Sequence, residues 1–238
     1  MTTRTVREVV QEYPEAARLF ERLGIDYCCG GNKSLEEACA VANLSIDQVL
    51  YSIEMAEETA RAKQTGRNWQ TSPLADLIAH ITGTHHKYTR EEIARLTPLM
   101  EKVRSVHGAS HPELQQVQAV FQHLAQELTM HMMKEEAILF PYIVRLEEAV
   151  IQNETVIPPP FGTVQNPVRM MEHEHDSAGA ALRAIRQATA DFTPPGDACI
   201  SYETLYSALA AFEADLHLHI HLENNILFPR AIEIEGKQ

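Results

Sequence analysis

Basic residues are scarce in this chain: 20 Lys and Arg stand against 33 Asp and Glu, a formal net charge of −13 over 238 residues. No local cluster of Lys or Arg offsets that balance, which opposes binding to a polyanion, so nucleic acid is not an expected partner. Cysteine is scarce too. The four present, Cys28, Cys29, Cys39 and Cys199, are too few for a disulfide scaffold, and adjacent Cys28 and Cys29 rarely bridge each other. A reducing compartment follows. No run approaches the roughly 20 apolar residues that a membrane helix requires, and the opening residues Met1-Thr-Thr-Arg-Thr-Val-Arg-Glu lack the apolar core of a secretion signal. The expected setting is cytoplasmic, with no membrane partner. What the chain does have is a hydrophobic fraction of 45%, an ordinary globular value that supports a buried core.

Three N-terminal segments carry a helix-opening signature, a hydroxyl followed three residues later by Glu or Gln: Thr5 to Glu8, Ser34 to Glu37 and Ser45 to Gln48. Gly24 and the tight Cys28-Cys29-Gly30-Gly31-Asn32 turn separate them. A small helical N-terminal domain over residues 1–61 is expected, followed by a polar linker over 62–71. Ser72-Pro73 then reads as the cap and first position of a new helix. From there Leu74, Leu77, Ile78, Ile81, Tyr88, Ile93, Leu96 and Met100 recur at steps of three and four, one buried face of a long helix. Further helices are expected from about Pro112 to Leu146, from Asn166 to about Ala190 and from Ser201 to about Ile234. No strand-like alternation competes. The fold class is all-α, with a four-helix bundle over 72–238, and such bundles build cofactor sites in their interior.

An internal repeat carries the chemistry. His131-Met-Met-Lys-Glu135-Glu-Ala-Ile-Leu-Phe-Pro141 and His219-Ile-His-Leu-Glu223-Asn-Asn-Ile-Leu-Phe-Pro229 match in His, Glu, Ile, Leu, Phe and Pro at identical offsets. A helix duplicated only for packing explains Ile-Leu-Phe-Pro. It does not explain a His and a Glu four residues apart, which lie on nearly one helical face and can point at one location. Two such helices supply two imidazoles and two carboxylates; a carboxylate can bridge neighbouring ions, and imidazole suits iron, zinc, copper or nickel. A binuclear metal site is the economical reading. The preceding helices add His80, His85 and His86 in one half and His173 and His175 in the other. His86 lies 45 residues before His131 and His175 lies 44 before His219, which favours this pair, although His85 also borders the apolar stripe.

Together the Cys28-Cys29-Gly30-Gly31 turn, the two His-to-Pro runs and Glu174-His175-Asp176 resemble the RIC family, the di-iron proteins for repair of iron centres. The resemblance covers nearly the whole chain. It implies a hemerythrin-like bundle holding two irons, with an oxo or hydroxo bridge, through His86, His131, His175 and His219 and the bridging Glu135 and Glu223. It places the first ligand at His86, the choice that spacing leaves open. The implied function is repair of iron–sulfur clusters damaged by oxidative or nitrosative stress, by supplying iron, without enzymatic turnover. The alternative is a di-iron enzyme acting on nitric oxide or peroxide. The implied partners are damaged iron–sulfur proteins and small molecules such as nitric oxide or oxygen, and a homodimer is compatible with the sequence. The Pro-rich segment Glu147 to Gln165 is longer than the pattern requires.

Other residues are weighed against plainer roles. Glu127 and Asp215 each precede a ligand His by four residues and are expected to accept from a ligand imidazole, with solvated acids as the even alternative. Glu174, beside His175, is a weaker candidate for a proton relay or for lining a route to the metals. Cys28 and Cys29 read as thiols for redox exchange or metal transfer, since Gly30 and Gly31 let another backbone approach. Cys39 and Cys199 read as buried small hydrophobes. His217 and His221 are expected in surface or packing roles, and His107, His111 and His123 lack a ligand-like partner.

Overall fold

The computed structural model describes residues 4–13, 16–27, 31–63, 68–157 and 159–237. Two of the predicted capping boxes form as written. Thr5 opens α1 (Val6–Glu12) and Ser34 opens α3 (Leu35–Val41); in each, the hydroxyl accepts from the third backbone N–H and the Glu there reaches back to the cap. With α2 (Ala16–Leu23) and α4 (Ile46–Lys63) these helices enclose one core of Val6, Val9, Phe20, Tyr27, Leu35 and Ile53. Among the described residues the one strand-like feature is an isolated bridge between Thr5 and Ser34.

The rest of the chain forms four rods. The first is α5 (Leu74–His80), a π-helical turn π1 (Ile81–His86) and α6 (Lys87–His107). The second is α7 (Glu113–Lys134), π2 (Glu135–Leu139) and α8 (Phe140–Gln152). The third is the unbroken α9 (Gln165–Ala188). The fourth is α10 (Ile200–Leu222), π3 (Glu223–Leu227) and α11 (Phe228–Glu235). Among the described residues no helix is long and apolar enough to cross a membrane.

Two apolar cores fill this bundle. Leu96, Phe121, Leu182 and Phe212 lie in one, with Phe121 and Phe212 edge to face at 5.8 Å; Leu77, Ile81, Leu139, Phe140, Leu227 and Phe228 lie in the other. Along the second rod the first core ends at Leu128 and the other begins at Leu139; along the fourth they meet at Ile220 and Leu222. The π turns fall near that junction, where a buried polar site interrupts the apolar packing, consistent with the frequent placement of π turns at functional sites.

The helix starts differ from expectation in one instructive way. Ser72 does not cap α5; its hydroxyl donates to the Asn68 carbonyl, and Pro73 stands at the cap position without a side-chain hydrogen bond. The free N–H groups of Leu74 and Ala75 donate instead to the two oxygens of Glu147, at 2.6 and 2.9 Å. Glu147 can do this because α8 continues to Gln152, so the first residues of the Pro-rich segment are helical rather than loop. Glu235 has a parallel role at the start of α9, accepting from the Val164 N–H and the Tyr142 hydroxyl.

Candidate metal centre

Each π turn sets a candidate ligand at its edge: π1 ends at His86, π2 begins at Glu135 and π3 begins at Glu223. His131 and His219 lie one turn earlier on α7 and α10, and His175 projects from α9. All six converge. One group is His86, Glu135, His219 and Glu223; the other is His131, Glu135, His175 and Glu223, each within a 4.8 Å span. The Nε2 atoms pair at 3.1 Å within each group, His86 with His219 and His131 with His175. Glu135 lies 3.4 Å from His86 and 3.3 Å from His131, while Glu223 lies 3.0 Å from His219 and 3.2 Å from His175. Both carboxylates thus stand between the two groups.

The donor set fits a pair of metal ions. Both glutamates are 0% exposed, and neither Glu135 oxygen nor Glu223 Oε2 has a hydrogen-bond partner among the described residues. Two buried carboxylates without such partners cost several kcal/mol unless a cation lies against them. Two metal–nitrogen bonds of about 2.1 Å span about 3.0 Å when they meet at a right angle, and about 3.4 Å at the tetrahedral angle. The observed separations of 3.1 Å fall in that range, so both imidazoles of a pair can bind one ion.

Electrostatics agree. Burial disfavours charge on His86 and His131, yet the adjacent Glu135 and Glu223 carboxylates outweigh it, raising these imidazoles to about 10 and about 9. Burial and the mutual repulsion of the carboxylates oppose ionisation of Glu135; the His131 and His86 imidazoles reverse that and leave its pKa lowered. Glu223 falls well below its ordinary value despite burial, through His219, His175 and His86. Burial instead wins at His219, whose pKa is lowered. The metal-free site therefore balances its two negative carboxylates with protons on His86 and His131.

Behind the imidazoles the structure assigns roles differently from the sequence reading. Glu127, expected behind His131, lies on the surface 3.4 Å from His123. Glu174 occupies that place, accepting from His131 Nδ1 at 2.8 Å while ion-paired to Lys134. Asp215, expected behind His219, accepts from His85 Nδ1 at 3.0 Å, because the His85 ring lies flat against His219. Two partners went unanticipated: Glu136 accepts from His86 Nδ1 at 2.6 Å and Asn224 from His175 Nδ1 at 2.8 Å. Glu136 follows Glu135 and Asn224 follows Glu223, a register readable from the repeat. The repeated Phe also serves the site, Phe140 stacking on His86 at 5.7 Å and Phe228 on His175 at 6.1 Å.

The remaining candidates are distributed as follows. Cys28 and Cys29 lie outside the described residues; Tyr27, just before them, stands 5.4 Å from the buried His221 ring. Near it, Gln11 Nε2 donates to the Asn225 carbonyl at 2.6 Å, and Leu218 packs on the N-terminal core. These contacts seat the N-terminal helices against the rod that carries Glu223. Cys39 is buried as expected. Cys199 is not: it is exposed at the start of α10, with its Sγ 3.2 Å from His107 Nε2. His111 pairs with Asp197 at 3.0 Å and His123 with Glu127, so these histidines do have partners, yet none joins the buried cluster.

A helical bundle that brings four imidazoles and two carboxylates to one interior point is a hemerythrin-type cation-binding protein, and residues 77–231 match the family model described as Hemerythrin HHE cation binding domain. Residues 2–57 match a second model, described as Domain of Unknown function (DUF542). The iron-sulfur cluster repair protein YtfE of Pectobacterium carotovorum is 37% identical over 232 residues, 96% of each chain. A probable iron-sulfur cluster repair protein of Haemophilus influenzae is 36% identical over 225 residues, 94% of this chain and 95% of that one. YtfE of Yersinia pseudotuberculosis is 36% identical over 93% of each chain. The chain belongs to this iron–sulfur cluster repair family, RIC, as the motifs implied.

Proposed function

We propose that this protein is a di-iron protein that repairs iron–sulfur clusters damaged by oxidative or nitrosative stress, and that it does so by supplying iron. The observation that carries the reading is the convergence of four Nε2 atoms on two fully buried carboxylates, in a chain alike over 96% of its length to a protein named for cluster repair. His86 and His219 would hold one iron and His131 and His175 the other, with Glu135 and Glu223 shared between the two positions. When bound, the iron pair supplies exchangeable ferrous ions and a place for nitric oxide or oxygen to react.

The residues of the chain set the terms of exchange. Four neutral imidazoles and two carboxylates leave a diferrous pair with net positive charge, which favours reversible binding over the tight hold of a carboxylate-rich site. Phe140 and Phe228 keep water from the faces of His86 and His175. Glu136, Glu174 and Asn224 fix the ring orientations through Nδ1. Clients are damaged iron–sulfur proteins, met in the cytoplasm. The N-terminal thiols Cys28 and Cys29 serve transfer or redox exchange.

The test is to incubate the reduced, iron-loaded protein with an iron–sulfur enzyme whose cluster has been damaged. Recovery of client activity in proportion to the iron lost from this protein supports donation. Many turnovers of nitric oxide without iron loss, and no recovery of the client, would overturn it in favour of a di-iron enzyme.

A further inference from the structure

The two halves of the site are not equivalent in what stands behind their imidazoles. At the His131/His175 position both outer nitrogens have acceptors: Glu174 for His131 at 2.8 Å and Asn224 for His175 at 2.8 Å. At the His86/His219 position only one does. His86 Nδ1 donates to Glu136 at 2.6 Å, while His219 Nδ1, in a side chain 1% exposed, has no partner among the described residues.

The sequence shows why. In the repeat, the residue before His175 is Glu174, which reaches across to His131; the residue before His86 is His85, which faces His219 in the same way. A glutamate there offers an acceptor. His85 offers a ring face: it lies nearly parallel to His219, 9° between planes and 5.7 Å between centroids. Its own Nδ1 is committed to Asp215 at 3.0 Å, and neither its Nε2 nor Asp215 Oδ2 finds a hydrogen-bond partner among the described residues. Near-parallel rings place the His85 nitrogens out of the plane in which the His219 N–H points, so stacking replaces the hydrogen bond that Glu174 makes.

From this asymmetry we infer that the ion held by His86 and His219 is the one the protein gives up, and that the ion held by His131 and His175 stays behind. The inference rests on the two-ion reading above. An outer acceptor fixes a ligand imidazole's orientation and raises its basicity, and losing one lowers metal affinity by about 10- to 100-fold. The position lacking one is therefore the weaker by about tenfold or more. The ion leaves as Fe²⁺, with no change of oxidation state and no reductant consumed.

The experiment begins with anaerobic protein loaded with ferrous iron, whose iron content is measured before an excess of ferrous chelator is mixed in. Two phases of one iron per chain, at least about tenfold apart in rate, are expected. Glu174→Gln accelerates the slow phase alone and Glu136→Gln the fast phase alone. His85→Glu, which supplies the acceptor that Glu174 supplies in the other half, slows the fast phase; far-UV circular dichroism confirms that each variant is folded. Two irons leaving in one phase, or a fast phase that responds to Glu174→Gln, overturns the inference and leaves the two-ion reading intact. Fewer than two irons per chain before mixing overturns both.

Discussion

Filling the site at neutral pH displaces protons, and the imidazole pKa values set the number. In the metal-free protein His86 titrates at about 10 and His131 at about 9. Glu135 and Glu223 are already ionised and His219 already neutral. A metal takes only the neutral imidazole, so binding both ions at pH 7 releases about two protons per chain. Both His86 and His131 lie above neutrality, so each must give up a proton before it can bind, and the opposition to binding eases as pH rises toward their pKa values. Overall affinity for the pair therefore rises about a hundredfold per pH unit from 7 to 8.5. Calorimetric titration of anaerobic metal-free protein, repeated in buffers of different ionisation enthalpy, gives the proton count directly. A count near zero at pH 7, or an affinity flat over that range, refutes the reasoning. The sign also fixes stability. Groups whose folded pKa is raised stabilise the fold fully below their unfolded value near 6.5 and lose that contribution as pH rises through the folded one. The metal-free protein should then lose thermal stability between pH 7 and 10, while the iron-loaded protein, its imidazoles already neutral, does not.

Other outcomes follow from single contacts. Glu147→Ala frees the Leu74 and Ala75 N–H groups at the start of α5 and should cost about 1 to 2 kcal/mol in urea unfolding, with the m-value unchanged. Arg186→Met leaves Glu213, 2% exposed, without its cationic partner. Because the Arg186 side chain is 40% exposed, the loss is expected at about 2 to 3 kcal/mol, below the usual range for a buried pair. Gln11→Ala removes the bond to the Asn225 carbonyl and should speed proteolysis within the N-terminal helices while leaving iron content unchanged.

The sequence carried the positions of the candidate ligands further than their surroundings. His131 with Glu135, and His219 with Glu223, are legible because four-residue spacing is a helical constraint and the repeat shows it twice. The caps at Thr5 and Ser34 are legible because they depend on residues three apart. The π turns are not, since no local propensity specifies them; they form where a buried polar site and the packing around it favour an extra residue per turn. Contacts between rods are equally hidden. Position 127 sits one turn from His131, yet Glu174 on another rod reaches His131 instead. The same applies to Asp215, whose carboxylate is drawn to His85 because that ring covers His219. Cys199 departs from the usual burial of a free cysteine, which is a trend of composition, because it begins a helix at the surface.

Metal analysis of the anaerobically prepared protein, beside its Glu135→Ala and Glu223→Ala variants, tests the central claim most directly. Two irons per chain in the parent, with loss of iron and an altered absorption spectrum in both variants, is the predicted result. A parent holding none, or variants that keep two ions with unchanged spectra, would contradict it.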